Sequence, residues 1–432
     1  MSLRYLILIC CVVLTAAEAQ TIAITGARVH TVAEAGTIDD ATILISDGRI
    51  TAVGRNVAVP SDAQRIDAAG QRVTPGLFTP IGQIGLVEVS AVAGTVDYIQ
   101  RGEAFSASFD IADAFNPRST LIPVNRIEGI THAAIAPGAA APDELGQTSR
   151  VISGLGAIVH LGEMDPVVQR AAMLVVSLGE SGGEVAGGSR AAALLTFRAA
   201  LEDALDYAGH KAEYQSRDRR DYSVSMADLE ALQPVIEGTM PVLAHVDRAS
   251  DIRHVLALAD EFRLRLIIAG GAEAWMVADE LAAADVGVII AATGNLPDNF
   301  DSLNARLDAA ALLEEAGVAV AFGGDRNASD HNARNITQVA GIAVANGMTW
   351  ESALRAITLT PAELYGVADR IGSIEAGKVA NLVIWNDDPF ELRSYPEAVY
   401  IKGKAVPMQS RQTLLRDRYL DGSDALPPVY RR

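Results

Sequence analysis

One repeated unit, a short apolar strand followed by an amphipathic helix, constrains this chain more than any other feature. "MPVLAH" reads as a strand ending at His245; Ser250 and Asp251 can cap a helix in which Ile252, Leu256, Ala259 and Phe262 keep helical spacing; "LRLIIAG" is the next strand. "ELAAADVGVIIA" and "LLEEAGVAVAFGGD" repeat the rhythm. A longer helix is expected from about Ser189 to Ala208, with Leu194, Phe197, Leu201 and Leu205 as its core stripe. Consecutive βα units build a parallel sheet, either open and doubly wound or closed as a barrel. No glycine-rich nucleotide fingerprint follows an early strand, so a (β/α)₈ barrel is expected, with its chemistry at the C-terminal ends of the strands.

Both flanks of this region read differently. "TIAITGARVHTV" and "ATILISDGRITAVG" are strands, and Asp47-Gly48 between alternating segments signals a tight hairpin. Near the other end, "AGKVANLVIWNDDP" and "AVYIKGKAV" repeat the style, with turns at Gly377-Lys378 and Lys402-Gly403. The expected division is a barrel over residues 75–365, a small β-sandwich from 21–74 and 366–408, and a C-terminal tail over 409–432, on the surface or against a neighbouring subunit.

The net charge of −19 comes from 54 acidic and 35 basic residues dispersed along the chain. A surface of this sign repels phosphate backbones, so no nucleic-acid partner is expected. The first residues, "MSLRYLILICCVVLTAAEAQ", combine Arg4, an apolar run from Tyr5 to Leu14 and the small-residue pattern Ala17-Glu18-Ala19. They read as a cleaved signal peptide over residues 1–19, which implies a periplasmic or secreted protein. The run is shorter than the roughly 20 residues that span a bilayer, and no membrane association is expected. Cys10 and Cys11, the two cysteines, lie inside this leader, so disulfides, thiolate catalysis and cysteine metal sites are not expected after cleavage.

Taken in order, "ITGARVHTV", "ISDGRITAVG", "IDAAGQRVTPGL", "GITHAAIAPG", "GVAVAFGGD", "AITLTPAELYGVADRIGSIEAGKVANLVIWNDDP" and "VYIKGKAV" resemble the amidohydrolase superfamily, specifically its imidazolonepropionase-like and dihydroorotase-like periplasmic relatives. The resemblance runs from about Thr21 to Met408. It implies a distorted TIM barrel with a β-sandwich from both chain ends, and hydrolysis of carbon–nitrogen bonds other than peptide bonds with one or two divalent metals. The ligands it implies are an H-x-H on the first strand, often a carboxylated Lys on the fourth, a His on the fifth, a His on the sixth and an Asp on the eighth.

Residue by residue, the family's "PGLIDAHTH" falls on "PGLFTPIGQ": the preceding Asp becomes Thr79 and the two histidines become Ile81 and Gln83. The sixth-strand His falls on Gly270 in "GGAEAW". His245 and Asp325 keep the fifth- and eighth-strand positions, while the expected fourth strand, "SGLGAIVHLGEMDP", offers His160 and Glu163 and no Lys. A zinc hydrolase needs about three protein ligands and a water. His245 and Asp325 are therefore expected as a weak, incomplete metal and catalytic pair, holding no metal or one weakly bound divalent ion such as zinc. His160, Glu163 and His331 are further pocket candidates, with Ser329 or Asp330 capping a helix near Asn332. Restoring histidines at 81, 83 and 270 is expected to raise metal retention. His30, His132, His210 and His254 read as structural.

Three functions compete on these grounds. One is a hydrolase of carbon–nitrogen bonds with a reduced site. Another is a metal-free pseudoenzyme that binds a small ligand or joins a homo-oligomer or a hetero-oligomer with an active amidohydrolase. A third is a lyase or isomerase with Asp325 as base and His245 as acid.

Overall fold

The computed structural model describes residues 21–102, 105–139, 150–163, 165–216, 218–294, 296, 299–324 and 330–420. The expected signal peptide, Asp325 and Ser329 lie outside the described residues. In chain order the strands are β1 Ile22–His30, β2 Thr37–Ser46, β3 Arg49–Gly54, β4 Gln64–Asp67, β5 Arg72–Pro75, β6 Leu77–Gly82, β7 Ile130–Ile135, β8 Ile152–His160, β9 Val167–Ser177, β10 Val242–Val246, β11 Leu266–Gly270, β12 Gly287–Ile290, β13 Val320–Phe322, β14 Leu382–Trp385, β15 Pro396–Ile401 and β16 Lys404–Ala405. They form two eight-stranded sheets.

The flanks share the first sheet, in the order β16-β15-β14-β5-β1-β2-β3 with β4 beside β1. The ends of the chain meet where β14 pairs antiparallel with β5, Leu382 opposite Pro75 and Ile384 opposite Val73. Ile24, Ile43, Val73, Leu382 and Ile384 bury one continuous apolar core. The hairpin turns at Asp47-Gly48 (φ 51° and 73°) and Lys402-Gly403 (φ 51° and 71°) place both central residues in the left-handed region, the turn that suits the twist of paired strands. These turns touch: a Cβ on Gly48 would lie 2.7 Å from the Lys402 carbonyl oxygen, so only glycine fits.

The second sheet runs β6 to β13 in sequence order. Its end strands approach each other, since a Cβ on Gly323, just past β13, would lie 2.9 Å from the side chains of Pro80 and Ile81 at the end of β6. The result is a nearly closed TIM-like barrel. A strict (β/α)₈ is not what forms, because β8 is antiparallel to both β7 and β9. All nine β8 residues are buried, so the strand has no inside–outside alternation from which its direction could be read. Its reversal carries His160, at the C-terminal end of β8, opposite His132 near the start of β7. His160 and Glu163 thus lie at the N-terminal end of the barrel, away from the mouth expected for them.

Phe78, Ile158, Met173, Leu243, Ile267 and Ile289 fill the barrel with side chains from six strands. Outward residues such as Val242, Ala244 and Val246 pack on the helices. The expected long helix spans Arg190–Gln215 and buries Ala193, Phe197, Ala200, Leu201, Ala204 and Tyr207, whereas Leu205 is 49% exposed. Packing against the helix Met226–Ile236 sets that face, one position round from the expected stripe. After Asp330 the chain makes a 3₁₀ turn, and the regular helix starts only at Ile336.

His132 is buried, with Nδ1 2.9 Å from Thr131 Oγ1. Burial, then His160, Lys402 and Arg370, push its pKa from 6.5 down to about 3. The unfolded chain therefore binds a proton that the folded chain refuses across this window. Stability is complete above pH 6.5 and falls as pH drops towards 3, by up to about 1.4 kcal/mol per pH unit. Denaturant unfolding of His132→Asn at pH 7, 5 and 4 should show a shallower decline than the native chain; equal slopes would remove His132 as the source.

Candidate functional site at the barrel mouth

A cavity of about 570 Å³ opens at the C-terminal ends of β6, β10, β11 and β12. Its lining includes Ile81, His245, Asp247, Gly270, Ile289 and Gly324. Strand geometry explains the convergence. Successive side chains of β10 alternate, so Leu243 points into the barrel, and His245 and Asp247 follow on the same face at the mouth.

His245 is tied by its backbone, whose carbonyl accepts from the N–H groups of Leu178 (3.0 Å) and Gly179 (3.2 Å). Burial lowers the pKa of its ring to about 4, so the imidazole is neutral near pH 7. Asp247 accepts a hydrogen bond from the Ala272 N–H at 3.2 Å through Oδ1. Its carboxyl is raised to about 6, first by burial and then, against that hydrogen bond, by the carboxylates of Asp301, Glu180 and Glu273. Spacing alone could have found Asp247, because it stands two residues beyond His245.

Gly270 has φ +98°, and a Cβ there would lie 2.5 Å from Asp247 Oδ1. The side chain absent from the end of β11 has its space taken by a carboxylate from β10. A side chain at 270 would have to displace that carboxylate.

One wall of the cavity is acidic. Glu180 and Glu184 line it beside Asp247. Behind Glu180, buried Asp301 accepts from the Glu180 backbone N–H at 3.0 Å and from Arg190 at 2.5 Å. Buried Glu273 accepts from the Ala249 N–H at 3.0 Å and from Asn304 at 2.8 Å. Arg306 lies across the cavity, paired with Asp308 and stacked 4.7 Å over the Trp275 ring.

Of the expected site residues, Ile81, His245 and Gly270 are brought together here. Gln83 does not line the cavity: β6 ends at Gly82, and the Gln83 backbone N–H faces the Asp330 carboxylate. Asp325 lies outside the described residues. His331 is exposed in the turn after Asp330 and does not line the cavity either. His160 is engaged elsewhere, its Nε2 2.8 Å from the Asp165 carbonyl and its Nδ1 accepting from the Gly162 N–H at 3.0 Å. The fourth barrel strand is β9, and it ends at buried Ser177 rather than at a lysine. Among the described residues, no group of three or more His, Cys, Asp or Glu is placed to hold a metal ion. No helix among them is long and apolar enough to cross a membrane.

A model of the amidohydrolase family matches residues 232–406. The chain is similar to the amidohydrolase tasK of Hapsidospora irregularis, 24% identical over 395 residues, which are 84% of this chain and 39% of that protein. It is 35% identical over 117 residues to the imidazolonepropionase of Porphyromonas gingivalis, covering 26% of this chain and 28% of the relative. These matches thus span well under half of the relatives' own length. Among solved structures, an amidohydrolase from Thermotoga maritima MSB8 superposes with a TM-score of 0.79 at 26% identity, over 90% of this chain and all of that one. Molinate hydrolase shares the fold, with a TM-score of 0.57 at 17% identity over 90% of this chain and 95% of that one.

Gly270→Ala should cost about 1–3 kcal/mol, from the left-handed backbone and the collision with Asp247. In an Asp247→Gly background the collision is gone, and the cost should shrink to about 1 kcal/mol. Urea unfolding of the four-member cycle measures this; strictly additive costs would show that the two positions do not share the space.

Proposed function

Because the chain belongs to the amidohydrolase superfamily, we propose that it takes a small amide- or amidine-type molecule into the barrel-mouth cavity and hydrolyses a carbon–nitrogen bond there with a reduced metal set. The observation that carries this reading is the convergence of His245, Ile81 and Gly270 on one cavity at the end where barrel enzymes place their chemistry. The described residues do not fit the metals of the family. Ile81 has no lone pair, Gly270 has no side chain, and Gln83 is turned away. The chain's own groups then set what happens: neutral His245, without a side-chain hydrogen bond among the described residues, takes a proton from a water attacking the carbonyl carbon. It returns that proton to the departing nitrogen as the carbon–nitrogen bond breaks.

The same replacements favour a second reading, a non-catalytic barrel that binds a small ligand or a sister amidohydrolase subunit. Export to the periplasm or beyond is proposed for either, on the strength of residues 1–20. The shared apolar core of the first sheet supports reading it as the composite β-sandwich, with domain limits as expected from the sequence.

Protein exchanged against zinc and then desalted should retain well below one equivalent by atomic absorption. Hydrolysis across a panel of cyclic and acyl amides should fall by about 100-fold or more in kcat/KM in His245→Ala, with the melting temperature unchanged. A full equivalent of zinc that is lost in His245→Ala would overturn the reduced set; no turnover by the native protein would leave the binding reading.

A further inference from the structure

We propose that the cavity selects organic cations, holding an amine, amidinium or guanidinium group against the wall formed by Glu180 and Asp247 while the apolar remainder rests on Ile81 and Ile289. The inference rests on the cavity being the working site and names the class of molecule it takes. Three carboxylate side chains, Glu180, Glu184 and Asp247, line it among the described residues, against one cation, Arg306. That cation is already committed, to Asp308 on one side and to the Trp275 ring on the other. The carboxylates behind the wall are also answered, Asp301 by Arg190 and Glu273 by Asn304 and the Ala249 N–H. Glu180 differs from them: its Oε2 is buried and has no hydrogen-bond partner.

An acceptor without a donor is costly, and a turn of the Glu180 carboxylate, which lines the cavity, that brings this oxygen to a ligand N–H removes the cost. A charged donor does so best, and a planar fork of N–H groups can meet two acceptors at once. The acidic wall also raises the local concentration of cations and repels anions. An organic cation fits because the acidic wall stands beside an apolar floor in one cavity. Ile81, Ala269 and Ile289 supply an apolar floor that a bare ammonium ion would not use.

Three near-isosteric probes of different charge test this by isothermal titration calorimetry: benzamidinium, benzamide and benzoate. Benzamidinium should bind about 10-fold or more tighter than benzamide, and benzoate weaker than either. Glu180→Gln should lose most of the preference for benzamidinium and leave benzamide unchanged; Glu184→Gln, at an exposed position, should lose less. If Glu180→Gln does not fold, the native protein still decides the matter, since added salt should weaken benzamidinium and not benzamide. Equal affinity for benzamidinium and benzamide, no binding of any probe, or tightest binding of benzoate would overturn the proposal. None of these measurements requires turnover: a hydrolase that prefers neutral amides would overturn this inference alone, and a protein that selects benzamidinium without hydrolysing anything would overturn only the hydrolase.

Discussion

The joint at Pro75-Gly76-Leu77 is the constraint on which the rest of the structure depends. There a strand of the flank sheet becomes the first strand of the barrel, with one residue between them. The Gly76 N–H donates to the Asn381 carbonyl at 2.8 Å, and Asn381 Oδ1 accepts from Lys402, so the joint is held by the returning end of the chain. On its other side the Thr131 side chain occupies the space a Cβ on Gly76 would need, and Thr131 Oγ1 donates to the Leu77 carbonyl at 3.3 Å. Any larger residue would have to push β7 away from β6. The joint therefore fixes the start of β6, and with it where Ile81 falls.

What β6 does next is irregular. Its pairing with β7 shifts between Leu77 and Phe78 and again between Thr79 and Gly82, around Pro80, which lacks an N–H. Phe78 and Ile81, three residues apart, both face the barrel interior, which strict alternation would forbid. The irregularity also explains Gln83. Two residues apart on a regular strand, positions 81 and 83 would share a face; here the strand has ended, and Gln83 has turned to Asp330.

Much of this was legible in the sequence because periodicity and turn chemistry are local. The flank strands, the hairpins at Asp47-Gly48 and Lys402-Gly403, and the βα unit around His245 follow from spacing that neighbouring residues enforce. The direction of β8 could not be read: a strand buried on both faces has no polar side, and among the described residues no helix between β7, β8 and β9 marks a parallel crossover. The error in placing His160 follows from that one reversal. Asp247 was missed for another reason. A carboxylate after a strand looks like solvated loop, and only the alternation from Leu243 through His245 turns it inward.

Ile81 and Gly270 shape the cavity in opposite senses, and together they divide it. Ile81 is 7% exposed and extends the apolar fill of Phe78, Leu243 and Ile289 up to the mouth. Side chains of the barrel's own strands thus pack together up to the mouth. Gly270 does the reverse, since its missing side chain admits the Asp247 carboxylate from the adjacent strand. One half of the cavity becomes a dry floor and the other a charged wall. A ligand that satisfies both must itself be divided, with an apolar body and a polar head of positive sign. Positions 81 and 270 therefore help to set what the cavity can hold, one by extending the floor and the other by leaving room for the Asp247 carboxylate.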